Sequence, residues 1–201
     1  LPLYELPAST RLLVLEEAAA AEKELGDLLA ALHSSSGLTA LGLDTEWVPG
    51  QPISLLQLAG CSRVLMLRLH AIRAGSALPL ARLLPSLASL LADNRVVKTG
   101  VGVGGDLRLL REQMGLGSAC FLEIQHLATR EGWSHGGAGL QRLTGDVLSR
   151  HLLKSMDHSG WEAETLTQVH AWLQPCTPPP YRARTPPHRA QPRILTASSP
   201  R

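Results

Sequence analysis

Asp44 and Glu46 are the residues in this chain whose types and spacing suggest chemistry first. The stretch Ala40-Leu41-Gly42-Leu43-Asp44-Thr45-Glu46-Trp47 ends an apolar run in two carboxylates one residue apart. Alternate residues of a strand point the same way, so both acids share one face. Like charges held that close repel, and a cation between them removes the conflict. A bare Asp-x-Glu, however, more often marks a strand running out into a polar turn.

A second stretch, Val96-Val97-Lys98-Thr99-Gly100-Val101-Gly102-Val103-Gly104-Gly105-Asp106, contains Gly-x-Gly-x-x-Gly (Gly100, Gly102, Gly105) between an expected strand and an expected helix. That pattern raises a dinucleotide site. Two features oppose it. Asp106 opens the expected helix, where its charge would repel the pyrophosphate that the helix dipole should attract. The acid required some twenty residues on should end a second strand, and Glu123 lies in a helical pattern. The glycines serve equally to let the backbone approach closely, so that Asp106 faces Asp44 and Glu46. Three carboxylates at converging element ends can hold divalent cations about 4 Å apart, one activating water and the other stabilising the leaving oxygen. A plain helix cap is the competing role for Asp106.

The elements that must position these acids follow from apolar patterning. Residues 11–15 read as a strand, and 16–32 as a helix with acids in its first turn. Ser34-Ser35-Ser36-Gly37 ends that helix. Strands are expected over 41–46, 53–59 and 63–69, the last two joined by a hairpin at Gly60-Cys61-Ser62. A leucine-rich helix over 79–92 leads to a strand over 95–101 and, after the glycine turn at 102–105, a helix over 106–114. Helices over 122–130 and 140–148 follow. This order specifies a mixed α/β sheet.

With 44% hydrophobic residues in 201, the chain has enough apolar content for one globular domain. Aromatics are 3%, which argues against base stacking on several exposed rings. The net charge of +2 is uneven: residues 174–201 carry five arginines and no acid, leaving the body at −3. Eight of the 14 prolines also lie in 174–201, and we expect a disordered Pro/Arg-rich tail there. Three cysteines without metal-ligand spacing point to reduced thiols in an intracellular setting. No apolar run approaches a membrane span. The sequence opens on Leu1 rather than Met, so we expect residues before it, where a targeting or anchoring segment would lie.

Three segments together resemble the first motifs of the DEDD 3′–5′ exonucleases, most closely the Werner-syndrome-type branch. They are Leu41-Gly42-Leu43-Asp44-Thr45-Glu46-Trp47, then Ile53-Ser54-Leu55-Leu56-Gln57-Leu58-Ala59, then Val96 to Asp106. Trp161-Glu162-Ala163-Glu164-Thr165-Leu166-Thr167 extends the likeness, which covers roughly residues 12–167. The resemblance implies an α/β ribonuclease H-like fold, a mixed sheet flanked by helices, with the exonuclease domain over 1–173. It implies two Mg²⁺ or Mn²⁺ ions held by Asp44, Glu46 and Asp106, acting on the 3′ ends of DNA or RNA to release nucleoside monophosphates. It associates such chains with the nucleus and with mitochondria.

Three neighbours of the acids are candidate substrate contacts. Thr45 lies between the acids. Trp47 is set to stack on a terminal base or to pack in the core. Lys98 would lie near a phosphate at a strand end or snorkel to the surface. The departure from the family is at the third motif, where a Tyr-x-x-x-Asp supplies the water-orienting tyrosine and the fourth carboxylate. Here Thr167 is followed by Gln168-Val169-His170-Ala171-Trp172, no Asp or Glu occurs after Glu164, and Tyr181 sits among prolines. We therefore expect a domain cut short at its C-terminal motif. The alternative to an active exonuclease is a nucleic-acid-binding or scaffold protein of the same fold with impaired turnover.

Overall fold

The computed structural model describes residues 1–153 and Trp161. Its first strand, β1 (Arg11–Leu15), leads into α1 (Ala18–His33), which buries Ala21, Leu25, Leu28 and Leu32 along one stripe. The expected acidic first turn is absent. Glu17 is the extended residue before the helix, and Glu16 instead accepts a hydrogen bond from the buried guanidinium of Arg68. Next come β2 (Thr39–Glu46), β3 (Leu55–Gly60) and β4 (Arg63–Arg68). The two-residue turn between β3 and β4, Cys61-Ser62, has φ of 50° and 57°, the positive pair that matches the twist of a tight hairpin.

Beyond β4 lies a short helix, α2 (Leu69–Arg73), that the sequence patterning did not reveal. The expected helix over 79–92 is two helices, α3 (Leu80–Leu83) and α4 (Pro85–Ala92). The break has a local cause: Pro85 excludes the helical conformation from the residue before it, and Leu84 sits at φ −127°, ψ 72°. The chain continues through β5 (Val96–Gly100), α5 (Val103–Met114), β6 (Phe121–Glu123), α6 (Ile124–Arg130) and α7 (Leu140–Leu148). A parallel bridge between Leu3 and His151 ties the first residues to the stretch after α7.

The six strands form one sheet in the order β1-β4-β3-β2-β5-β6, with β3 antiparallel to both its neighbours and the other pairings parallel. The carboxyl ends of β1, β2, β4, β5 and β6 therefore share one edge. Register decides what each face carries. Leu43, Leu58 and Leu65 align across the sheet, as do Thr45, Leu56 and Leu67. This face packs under α1, α4 and α5, where Leu25, Leu28, Leu87, Leu90, Val103 and Leu110 join the main core. The opposite face aligns Asp44 with Gln57 and Glu46 with Leu55.

Candidate active site

The pleat of β2 puts Asp44 and Glu46 on one face and Thr45 on the other, as the alternation requires. Asp44 is exposed, Glu46 is half-buried and Thr45 is buried. The end of the strand is fixed at Glu46, whose carbonyl accepts both the Ser54 amide and the Ser54 hydroxyl at 3.0 Å. Next to Asp44, β5 comes unusually close. A Cβ added at Gly100 would stand 2.5 Å from the Leu43 carbonyl oxygen, so only glycine permits this approach. Gly102 then adopts φ 79° and turns the chain into α5. The glycines thus serve a close backbone approach and a turn.

The helix begins at Val103 rather than at Asp106, so Asp106 lies within the first turn and is not the cap. Its Oδ1 accepts a 2.6 Å hydrogen bond from the Thr45 hydroxyl. Burial pushes the Asp106 acid up to about 6; the Thr45 bond opposes this, and the charges of Asp44, Glu123 and Glu46 add to it. The structure therefore brings Asp106 into the field of both expected partners. It also adds Glu123, which sequence reasoning missed because residues 121–123 form a three-residue strand too short to show a period.

The placement of Glu123 corrects the argument against a dinucleotide site while keeping its conclusion. Glu123 does end a parallel strand, in register with Gly100. Its Oε1, however, accepts the Gly102 amide at 2.7 Å, placing a carboxylate on the very turn where phosphate would need donors. Among the described residues, no group of three or more His, Cys, Asp or Glu side chains is gathered into a ready metal cage. One Asp106 oxygen is taken by the Thr45 hydroxyl. Asp44, Glu46 and Asp106 nonetheless offer only carboxylate oxygens, the kind hard divalent cations take.

The candidate substrate contacts divide. Trp47 follows Glu46 with 40% of its surface exposed, which sets aside its burial in the core. Thr45 is turned into the protein, where it positions Asp106 rather than meeting substrate. Lys98 is 0% exposed, and its ammonium donates to the carbonyls of Asp93 (3.0 Å) and Val96 (2.8 Å). Those carbonyls lie at the start of β5, the end of the sheet away from the acids, so Lys98 neither snorkels nor approaches a phosphate. Burial lowers its pKa, with Cys120 and Asp93 acting in the opposite sense. Lys98→Met is expected to cost about 1 kcal/mol in urea denaturation, the loss of two hydrogen bonds to carbonyls being partly offset by the lost ammonium desolvation. Oligonucleotide affinity should stay within about twofold of the unaltered chain, since Lys98 is remote from the acids.

No family model matches the chain. It is 36% identical over 138 residues to exonuclease 3′-5′ domain-containing protein 2 of Homo sapiens, a match covering 64% of this chain and 21% of that protein. The protein of the same name in Drosophila melanogaster is 32% identical over 136 residues, covering 63% and 21%. The chain thus spans about a fifth of the length of the curated relatives it matches. Among solved structures, an EXD2 exonuclease domain soaked in Mg and dGMP superposes with a TM-score of 0.52 at 31% identity, covering 81% of this chain and 80% of that one. A second, soaked in Mn and GMP, gives 0.52, 31%, 81% and 81%. The mixed six-stranded sheet flanked by helices is the ribonuclease H-like fold of those domains. On these grounds the chain belongs to the family of exonuclease 3′-5′ domain-containing protein 2, within its exonuclease domain.

Proposed function

We propose that this chain hydrolyses 3′-terminal phosphodiester bonds of nucleic acid by a two-metal-ion mechanism, with Asp44, Glu46 and Asp106 as the cation-holding carboxylates. The observation that carries the reading is geometric: Asp44 and Glu46 share one face at the carboxyl end of β2, and Asp106, in the first turn of α5, is bonded to Thr45 between them. The Mg and Mn soaks of the related EXD2 domains support Mg²⁺ or Mn²⁺ as the ions, and the dGMP and GMP soaks support nucleotide as the class of ligand. When bound, such ions activate water and stabilise the leaving oxygen. The chain's own residues arrange this. Ser54 holds the end of β2, Thr45 orients Asp106, and Glu123 secures the Gly102 turn from which α5 departs.

A second reading, a nucleic-acid-binding protein with impaired turnover, is favoured by one observation. No Asp or Glu follows Glu164, so the chain offers no fourth carboxylate at the third motif. Residues 168–176, where that motif would fall, lie outside the described residues, as does the tail over 174–201. The two readings separate in one assay: mononucleotide release from a 3′-labelled oligonucleotide with Mn²⁺, comparing this chain with Asp44→Asn. Release that Asp44→Asn abolishes supports the enzyme. Oligonucleotide binding without release by either protein supports the second reading, and equal release by both removes Asp44 from the site.

A further inference from the structure

The helix that carries Asp106 begins on residues that hold a first turn poorly. Gly102 precedes α5 and has no side chain to cap it, and the first three helical residues are Val103, Gly104 and Gly105. Glycine is a weak helix former, and the first amides of a helix find no partner within it. In a capping box, a glutamate three residues into the helix accepts the amide of the residue that precedes the helix. Gly105 occupies that position here. The carboxylate comes instead from Glu123, whose Oε1 accepts the Gly102 amide at 2.7 Å across 21 positions. Glu123 ends the edge strand β6, in register with Gly100 of β5. From the same strand Phe121 reaches Gly104, where an added Cβ would stand 3.4 Å from the ring. The backbone leading to Asp106 is thus met twice by β6.

We propose that Glu123 is a positioning residue for Asp106: through the Gly102 amide it holds the first turn of α5 where the Asp106 carboxylate can meet a cation together with Asp44 and Glu46. It rests on the exonuclease reading and adds to it how the third acid is kept in place. Thr45 on β2 holds the Asp106 side chain, and Glu123 on β6 holds the backbone that leads to it, with β5 between the two strands. The Thr45 bond alone would leave a glycine turn free to fray beneath the acid. A carboxylate also suits this end of a helix, where the dipole favours negative charge. Glu123 acts on Asp106 through its charge as well. Glutamine, which keeps an accepting oxygen and loses the charge, separates the two effects.

The test compares Glu123→Ala and Glu123→Gln with the unaltered chain in two measurements. The first is Mn²⁺ affinity, from the free-ion electron-paramagnetic-resonance signal. Glu123→Ala should weaken it about tenfold, the loss typical when a group that orients a metal ligand is removed. Glu123→Gln should stay within about threefold, because a neutral acceptor makes a somewhat weaker bond to the same amide. The second is hydrogen exchange of the Gly102 amide in EDTA, followed by nuclear magnetic resonance. It should be at least about tenfold faster in Glu123→Ala and close to unaltered in Glu123→Gln. Ser86→Ala, which removes a hydroxyl bond to Glu22 between α4 and α1, is the control for general loss of stability and should leave Mn²⁺ affinity unchanged. The proposal is overturned if both Glu123 variants bind Mn²⁺ like the unaltered chain, if both lose affinity equally, or if Ser86→Ala loses as much as Glu123→Ala. Failure of the exonuclease reading would look different: the unaltered chain itself would bind no Mn²⁺, and the role of Glu123 would fall with it.

Discussion

Asp44→Asn is expected to lower mononucleotide release by about a thousandfold or more, because removing one member of a catalytic unit typically costs orders of magnitude in rate. The substitution keeps the shape of the side chain and one accepting oxygen, so the Thr45 amide bond at 3.1 Å can persist. What it removes is charge, on the exposed acid of the three. The loss should appear in kcat, read by single-turnover assays with a 3′-labelled strand. Binding of the same strand in EDTA should change little or even tighten, since a negative charge beside the phosphates has gone. A loss of strand binding that matched the loss of rate would point to misfolding instead.

Asp106→Asn should act in opposite directions with and without metal. The folded-state acid stands at about 6, against 3.8 for an unperturbed carboxyl. As pH rises from about 4 to about 6, the folded state retains a proton that the unfolded chain has released, so folding loses stability across that window. Below about 4 the penalty is absent, and above about 6 it is complete. At roughly 1.4 kcal/mol per pKa unit, and allowing for partial exposure, Asp106→Asn should stabilise the metal-free chain by about 2 kcal/mol at pH 7.5. The gap should close as pH approaches 4. Asparagine keeps an oxygen for the Thr45 hydroxyl, so the contrast isolates the charge. Saturating Mn²⁺ should reverse the order, because a cation bound at a hundred times its Kd adds about 2.7 kcal/mol to the unaltered chain alone. Urea denaturation at several pH values, with EDTA and with Mn²⁺, reads all three effects.

Much of this arrangement is legible in the residues because it rests on short-range rules. Alternation places Asp44 and Glu46 together, and the apolar runs give β1, β2, the hairpin of β3 and β4, and β5. What escaped the sequence has identifiable causes. Pro85 divides a run of leucines whose periodicity is continuous through the break. Gly104 and Gly105, poor helix formers, hide the true start of α5 and made Asp106 look like a cap. The helix expected over 122–130 takes in Leu122 and Glu123 of β6, and with them went the bond of Glu123 to Gly102, a contact across 21 positions. Lys98 shows the limit of reading polarity along a strand. A lysine in an apolar run suggested a surface or substrate role, whereas its ammonium turns back onto the carbonyls of Asp93 and Val96. Thr45 is similar: its sequence position beside the acids suggested substrate, and only the packing of α5 shows that its hydroxyl serves Asp106.

The central claim is that Asp44, Glu46 and Asp106 together hold divalent cations. It is tested most directly by counting bound Mn²⁺, from the loss of its free electron-paramagnetic-resonance signal, on this chain and on the double variant Asp44→Asn/Asp106→Asn. The account predicts Mn²⁺ bound to the unaltered chain, up to two ions, and none to the double variant at the same concentrations. Equal binding by both proteins, or none by the unaltered chain, would contradict it.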